Sequence, residues 1–318
     1  NWIAVNQRSH QVAVERLVKA RAGILVVAPG LIERPYVFQG KDIPGVLLAG
    51  AARRLVNMFG VNPGNKAVVM TANDEGDATV VDLKRAGVEV VAVLDARKGE
   101  GIVAVEGGSR VTKVTTTAGE KLTADTAVTA TGWPAPTSLL NMAGDRPDYD
   151  PTAARYFPNE LPSNVLATGG ITGDGTTEDL EAHGRATGLL AANRALRRRH
   201  DRISQTARAG VPTWVKPEKM EDGRVPLTRS PHPEYYKSTT HGMVDFSEDV
   251  SSKDLLQASK EGFDSIELMK RYTTVTMGPA QGKLETVNAA AILAEANGVA
   301  MSDIGTTCLL YTSPRPRD

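Results

Sequence analysis

Apolar residues along this chain come in short runs closed by glycine, proline or a charged tip. Longer stretches of mixed polarity lie between them. Residues 2–5 read as a strand, and residues 17–27 as a mostly apolar run broken at Gly23. Residues 45–56 look like a loop leading into a helix, and residues 61–65 form a turn. Residues 66–70 (KAVVM) predict a strand, residues 77–85 a helix and residues 88–94 a second strand, which together make a βαβ unit. Residues 102–116 and 122–130 supply further short strands, and residues 164–168 another. A long helix opens at Thr176, where Asp179 completes a capping box, and runs to about Arg199. Its Arg197-Arg198-Arg199 end suits the negative pole of the helix dipole. Residues 201–233 are polar and punctuated by Pro212, Pro217, Pro226, Pro231 and Pro233, and are expected to be a linker wrapped over the surface. From residue 235 to 307 the pattern is of three or four short helices. Ser251 and Asp254 open one, Asp264 and Glu267 another, and residues 288–296 form a third, stopped by Gly298.

The strand ends carry the candidate chemistry. After the strand at 164–168 comes a loop with Gly169, Gly170, Gly173 and Gly175, with Asp174 inside it, and then the long helix. Strand, glycine loop and helix start leave unpaired backbone N–H groups for an anion, usually a pyrophosphate, and a side chain there would hold the ligand off. Gly184 and Gly188, four apart, are expected to let that helix pack closely against a strand or cofactor. One such loop is equally a tight connection with no ligand. Related ends recur, however, at Ala28-Pro29-Gly30 and Ala130-Thr131-Gly132, beside Ala167-Thr168-Gly169. Three of them point to a flavin- or nicotinamide-binding fold with two interleaved nucleotide domains. In the βαβ unit the fingerprint G-x-G-x-x-G is degraded to Thr71, Asn73 and Gly76, although Asp95 stands where an acid would meet a ribose. A structural half-domain is the expectation there. His232 and His241 lack metal-ligand spacing, and no catalytic residue or metal ligand is assigned.

Composition narrows the classes. Lysine plus arginine balance aspartate plus glutamate at 37 each, which argues against nucleic-acid binding. There is no apolar run of ~18 residues to predict a membrane helix, and no signal peptide is visible, so a cytoplasmic protein is expected. Cys308 is the single cysteine, which rules out an intrachain disulfide or a cysteine-held cluster.

The stretches APGLIERPYVFQGKDIPGVLLAGAARRLVNMFGV, KAVVMTANDEGDATVVDLKRAGVEVVAVLDAR, TATGW, MVDFSEDVSSKDLLQASKEGFDSIELMKRYTTVTMGPAQGK and VNAAAILAEANG resemble the alpha subunit of heterotetrameric sarcosine oxidase. The resemblance covers nearly the whole chain up to Thr307. It implies an α/β fold of FAD/NAD(P)-binding type, with two interleaved Rossmann-like domains, the first incomplete, and then a small α-helical domain. It also implies NAD in the first domain, beta, gamma and delta subunits as partners, and flavin (FAD or FMN) mainly from the partner beta subunit. Sarcosine and tetrahydrofolate would bind outside this stretch. The cofactor would rest on Ala28, Gly30, Thr131, Gly132, Gly169, Gly170 and Asp174, with Pro29 a departure because it lacks an N–H. The helical part resembles the [2Fe–2S]-binding domain of amine and opine oxidases, but its ligand positions hold Asp245, Ser247, Ala280 and Glu285, so no Fe–S cluster is expected.

The division these readings imply is residues 1–60 with 121–200 for the first nucleotide domain and 61–120 for the inserted second. Residues 201–234 are the linker and 235–307 the helical domain. Residues 308–318 resemble translated sequencing-adapter read-through and are expected to be foreign, leaving an internal piece of a longer subunit. The expected function is part of a sarcosine oxidase that demethylates sarcosine and passes electrons to oxygen. The alternatives are a flavin-dependent amine or opine dehydrogenase subunit, or a non-catalytic scaffold with a vestigial nucleotide fold.

Overall fold

The computed structural model describes residues 2–5, 16–206, 223–224 and 226–305. The expectations for residues 308–318, and for half of the linker, lie outside them. Strands β1 (Trp2–Val5) and β2 (Arg16–Lys19) form an antiparallel pair. The α/β part then runs β3 (Leu25–Val27), β4 (Val46–Leu48), α1 (Ala49–Phe59), β5 (Lys66–Thr71), α2 (Asp74–Arg85) and β6 (Glu89–Asp95). Next come β7 (Ile102–Gly107), β8 (Val111–Thr116), β9 (Lys121–Thr123), β10 (Thr126–Ala130) and α3 (Ser138–Ala143). Strands β11 (Asp148–Asp150), β12 (Arg155–Phe157) and β13 (Val165–Ala167) lead to the long helix α4 (Thr177–Thr206). The C-terminal part holds β14 (Met243–Asp245), β15 (Val250–Ser251), α5 (Ser252–Lys260), α6 (Ile266–Thr273) and α7 (Thr286–Asn297).

The central sheet has the order β4-β10-β5-β6 and is parallel throughout. β5 and β10 are apolar and buried almost end to end, as strands covered on both faces must be. One face packs on Ala49, Ala52 and Leu83 of α1 and α2, and the other on β7 and β8. The predicted βαβ unit is present as β5-α2-β6. Its helix starts at Asp74, earlier than the expected Asp77, because the Asn73 side chain accepts a bond from the Gly76 amide and caps it.

β4 and β10, which the sequence reading placed outside residues 61–120, pair with each other and with β5 in one sheet, and β3 pairs with β13 beside α4. A short buried strand carries no mark of which parallel sheet it will join. α4 also runs past Arg199 to Thr206, into the expected linker. Gly184 and Gly188 are not close-packing positions, since a Cβ on either would meet nothing within 4 Å.

The helical part is welded to the α/β part. Val37, Tyr149, Tyr156 and Tyr236 share one core with Leu255, Met269 and Leu293. The Val37 amide donates to the Tyr236 carbonyl at 3.0 Å and its carbonyl accepts from the Ser238 amide at 2.8 Å, and Asn288 donates to the Pro35 carbonyl at 2.8 Å. Among the described residues, no helix is long and apolar enough to cross a membrane.

Candidate functional site

The loop of residues 28–35 connects two groups of strand ends. In the first, Val27 pairs with Ala167, so Ala28 and Gly30 emerge beside Gly169 and Gly170. A Cβ on Gly30 or Gly169 would meet nothing within 4 Å, which leaves the backbone open to an approaching ligand. A Cβ on Gly170 would come within 3.0 Å of the Leu31 side chain.

In the second group, β5 and β10 end together at Thr71 and Ala130. The crevice beyond their carboxyl ends has a volume of about 380 Å³. Such a crevice is where open α/β sheets bind ligands. Ala72, Asn73, Asp74 and Glu75 form one wall with Arg97 beside them, and Leu31, Arg34, Gly132, Trp133, Arg155, Asp174 and His232 are among the residues that line the others. The loops are tied together, with the Arg34 amide donating to the Gly132 carbonyl at 2.9 Å and the Ile32 amide to the Pro134 carbonyl at 3.1 Å.

The expected site residues therefore divide. Gly132 and Asp174 line the crevice, while Ala28, Gly30, Gly169 and Gly170 stand at the neighbouring strand ends. Thr131 is fully buried. Its hydroxyl donates to the Arg34 carbonyl, and its own carbonyl accepts from the Arg34 guanidinium. Asp174 accepts from Arg155 Nη1 at 3.0 Å and from the Ser230 amide at 3.0 Å. Arg34 and Arg155 were not chosen as site residues from the sequence, and His232 was set aside there for lack of metal-ligand spacing. His232 belongs to the stretch expected to be a surface linker, yet its Nε2 lies 3.3 Å from the Asn73 amide nitrogen. Burial, with Arg34 and Arg155 close by, holds its pKa below the ordinary histidine value.

A pyrophosphate does not fit the degraded fingerprint of β5-α2. Asn73 already satisfies the Gly76 amide, and Asp74, Glu75 and Asp77 load the first helical turn with negative charge. The surviving Gly76 has a packing role. A Cβ there would sit 2.3 Å from Thr71 Oγ1 and 2.9 Å from the Ala130 Cβ.

Beside the crevice, Glu33 is 8% exposed and caps α1, with Oε2 accepting from the Gly50 amide at 2.8 Å, while Oε1 has no partner. Burial outweighs the amide bonds and pushes its carboxyl up to about 7. The folded chain thus holds this proton between pH 4.5 and about 7, where the unfolded chain has released it. Stability contributed by Glu33 is present at low pH and is lost as pH rises through that window, by about 3 kcal/mol in all. Glu33→Gln should lack the slope, so its thermal midpoint should gain on the wild type from pH 5 to pH 8. Parallel pH profiles for the two proteins would contradict this.

Residues 239–314 match the model of the sarcosine oxidase A3 domain, a match that extends past Thr307. The chain is 32% identical to the sarcosine oxidase subunit alpha of Rhizobium meliloti (strain 1021), over 95% of its own length and 31% of that protein. It is 30% identical to the subunit of the same name from Corynebacterium sp. (strain P-1), over 93% of its own length and 33% of that protein. It thus spans about a third of the length of these curated relatives. Among solved structures, L-proline dehydrogenase from P.horikoshii superposes with a TM-score of 0.64 at 20% identity, covering 92% of this chain and 56% of that one. The α/β fold with its small helical unit is thereby shared with that protein.

Proposed function

We propose, from the kinship of this chain with sarcosine oxidase alpha subunits, that it supplies the nucleotide-binding-type and docking domains of such a subunit. The observation that carries this reading is similarity along 95% of the chain, from the first strand ends to the helical unit. The reaction of the assembled enzyme would be oxidative demethylation of sarcosine with electrons passed to oxygen. Beta, gamma and delta subunits would be the partners, with the flavin mainly on a partner and tetrahydrofolate bound outside these residues. The compartment would be the cytoplasm.

NAD fits the first group of strand ends better than the second. Gly30 and Gly169 leave open backbone beside one another, Gly170 packs under the Leu31 side chain, and Gly132 and Asp174 lie across the loop. Bound there, NAD would supply a nicotinamide ring able to accept hydride. This chain's residues would hold its phosphates by backbone N–H groups. Domain by domain, the pair β3–β13 with α4 would be the NAD-binding unit, β4 to β10 a structural one and residues 235–305 a docking unit. An Fe–S cluster does not fit the docking unit, since both oxygens of Asp245 are already engaged by backbone amides.

Co-expression of the full-length subunit with its three partners tests the assignment. Sarcosine-dependent oxygen consumption is expected, and a pure complex that does not oxidise sarcosine would overturn it. For the NAD site, Gly170→Val should weaken NAD binding by about tenfold or more, because the added carbons would press on Leu31 and shift the loop beside the open backbone of Gly169. Unchanged affinity by titration would sink that placement.

A further inference from the structure

The basic run of α4 stands where the helix dipole does not account for it. Arg197, Arg198 and Arg199 were expected at the negative pole, but α4 continues to Thr206 and has no basic residue in its last turn. The run therefore lies about two turns short of the end, beyond the stretch where the dipole favours a cation. Arg194 stands one turn earlier, so Arg194, Arg197 and Arg198 share one face of the helix at the spacing i, i+3 and i+4. Like charges at that spacing work against a helix. An anion held between them would remove the repulsion.

These arginines line a groove of about 550 Å³ between α4 and the segment 159–166, and Arg224 lines it too. Among the described residues, no carboxylate lines it. Arg198 is exposed and Arg194 half-buried, and both give their donors to neutral oxygens. Arg198 donates from Nη1 to the Gly23 carbonyl and from Nη2 to Ser163 Oγ, each at 3.0 Å, while Arg194 Nη1 stands 3.5 Å from the Ser163 carbonyl. A guanidinium has five donors, so each keeps N–H groups for a ligand. Every cation of the groove is an arginine, the side chain whose planar fork grips an oxyanion with two bonds at once. The contacts to Gly23 and Ser163 place the groove at the amino ends of β3 and β13, about 30 Å along α4 from the glycine loop. It shares no residue with the strand-end sites described above. The chain as a whole balances 37 cations with 37 carboxylates, so the charge is local and suits a compact anion rather than a long nucleic acid. The volume suits a molecule the size of a mononucleotide.

We propose that this groove binds a compact phosphate ester of two or more negative charges, its phosphate held by Arg194 and Arg198. The site does not depend on the oxidase assignment or on the NAD placement. The test is titration calorimetry of the full-length subunit in its complex with sodium pyrophosphate, AMP and glucose 6-phosphate. Pyrophosphate should bind, and Arg194→Gln should weaken it by about fivefold to tenfold. The long contact of Arg194 to Ser163 contributes little to folding, so the thermal midpoint of this variant should stay at the wild-type value. Arg194→Lys keeps the charge without the fork, and its affinity should fall between the two. AMP and glucose 6-phosphate tell a nucleotide from a sugar phosphate, and tighter binding of either, lost in Arg194→Gln, supports the proposal. NAD affinity should be the same in Arg194→Gln as in the wild type, so a failure of the NAD placement leaves this inference standing. Three results would each overturn it: no pyrophosphate binding, equal pyrophosphate affinity in Arg194→Gln and the wild type, or a hexaglutamate peptide that binds more tightly than pyrophosphate. The last would make the groove a seat for an acidic protein segment.

Discussion

Asp245→Ala should lower the stability of the chain by about 3 kcal/mol or more, with the loss centred in the helical part. Asp245 is 1% exposed. Its Oδ1 accepts from the Ser247 amide at 2.8 Å and the Glu248 amide at 3.1 Å, and its Oδ2 from the Thr276 amide at 2.8 Å. One carboxylate therefore ties the turn after β14 to the loop between α6 and α7. Thr276 sits at a φ of 70°, a region that disfavours a β-branched residue, and the bond to Asp245 helps to hold it there. Alanine would leave three amides without their acceptor, each worth about 1–3 kcal/mol where water cannot replace it. Asparagine keeps one acceptor oxygen and should cost about half as much. Urea unfolding followed by circular dichroism measures the loss, and hydrogen exchange should locate it at residues 243–280. An alanine variant within about 0.5 kcal/mol of the wild type would contradict this account of the turn. The same contacts give the position that resembles a cluster ligand a structural task, since its carboxylate binds three backbone amides.

Local order was legible in the chain, and long-range order was not. The βαβ unit was readable because β5 is a continuous apolar run and α2 is amphipathic over its length. The capping boxes at Thr176 with Asp179 and at Ser251 with Asp254 were readable because each is closed within four residues. So was the stop at Gly298, which takes the left-handed conformation. Asn73 was misjudged. It was weighed as a lost glycine of a nucleotide fingerprint, whereas it is the cap that starts α2. The partners of β4 and β10 lie far along the chain, and nothing in their residues selects one parallel sheet over another. The crevice was half visible. Gly132 and Asp174 were chosen by their strand-end pattern, but Arg34 and His232 gain their significance only from folding. Arg34 is 97 residues from the carbonyl it binds, and His232 is 159 residues from Asn73.

Gly242→Ala should be as damaging as the loss of Asp245, for a reason of space rather than of bonding. A Cβ on Gly242 would lie 2.0 Å from the Phe38 carbonyl oxygen, 2.6 Å from its carbon and 2.8 Å from its nitrogen. These are backbone atoms, and neither segment is free to give way. On one side, Val37 donates to Tyr236 at 3.0 Å and its carbonyl accepts from Ser238 at 2.8 Å, while the Gln39 carbonyl accepts from Val105 at 2.8 Å. Phe38 itself is fully buried. On the other side, the Gly242 carbonyl accepts from the Ser252 amide at 2.9 Å and its amide donates to Ser252 Oγ at 3.1 Å. The methyl must therefore part the two segments that join the helical unit to the α/β sheet, at a cost of about 3 kcal/mol, the upper range for overpacking. Gly184→Ala in α4 is the matched control. Its new methyl meets nothing within 4 Å, and alanine favours the helix by about 0.5–1 kcal/mol, so it should be neutral or stabilising. Urea midpoints of the two variants, measured side by side in the full chain, decide the matter. Equal midpoints would mean that the junction at Phe38 and Gly242 is looser than these distances require, and that the helical unit is not held to the sheet by close backbone contact.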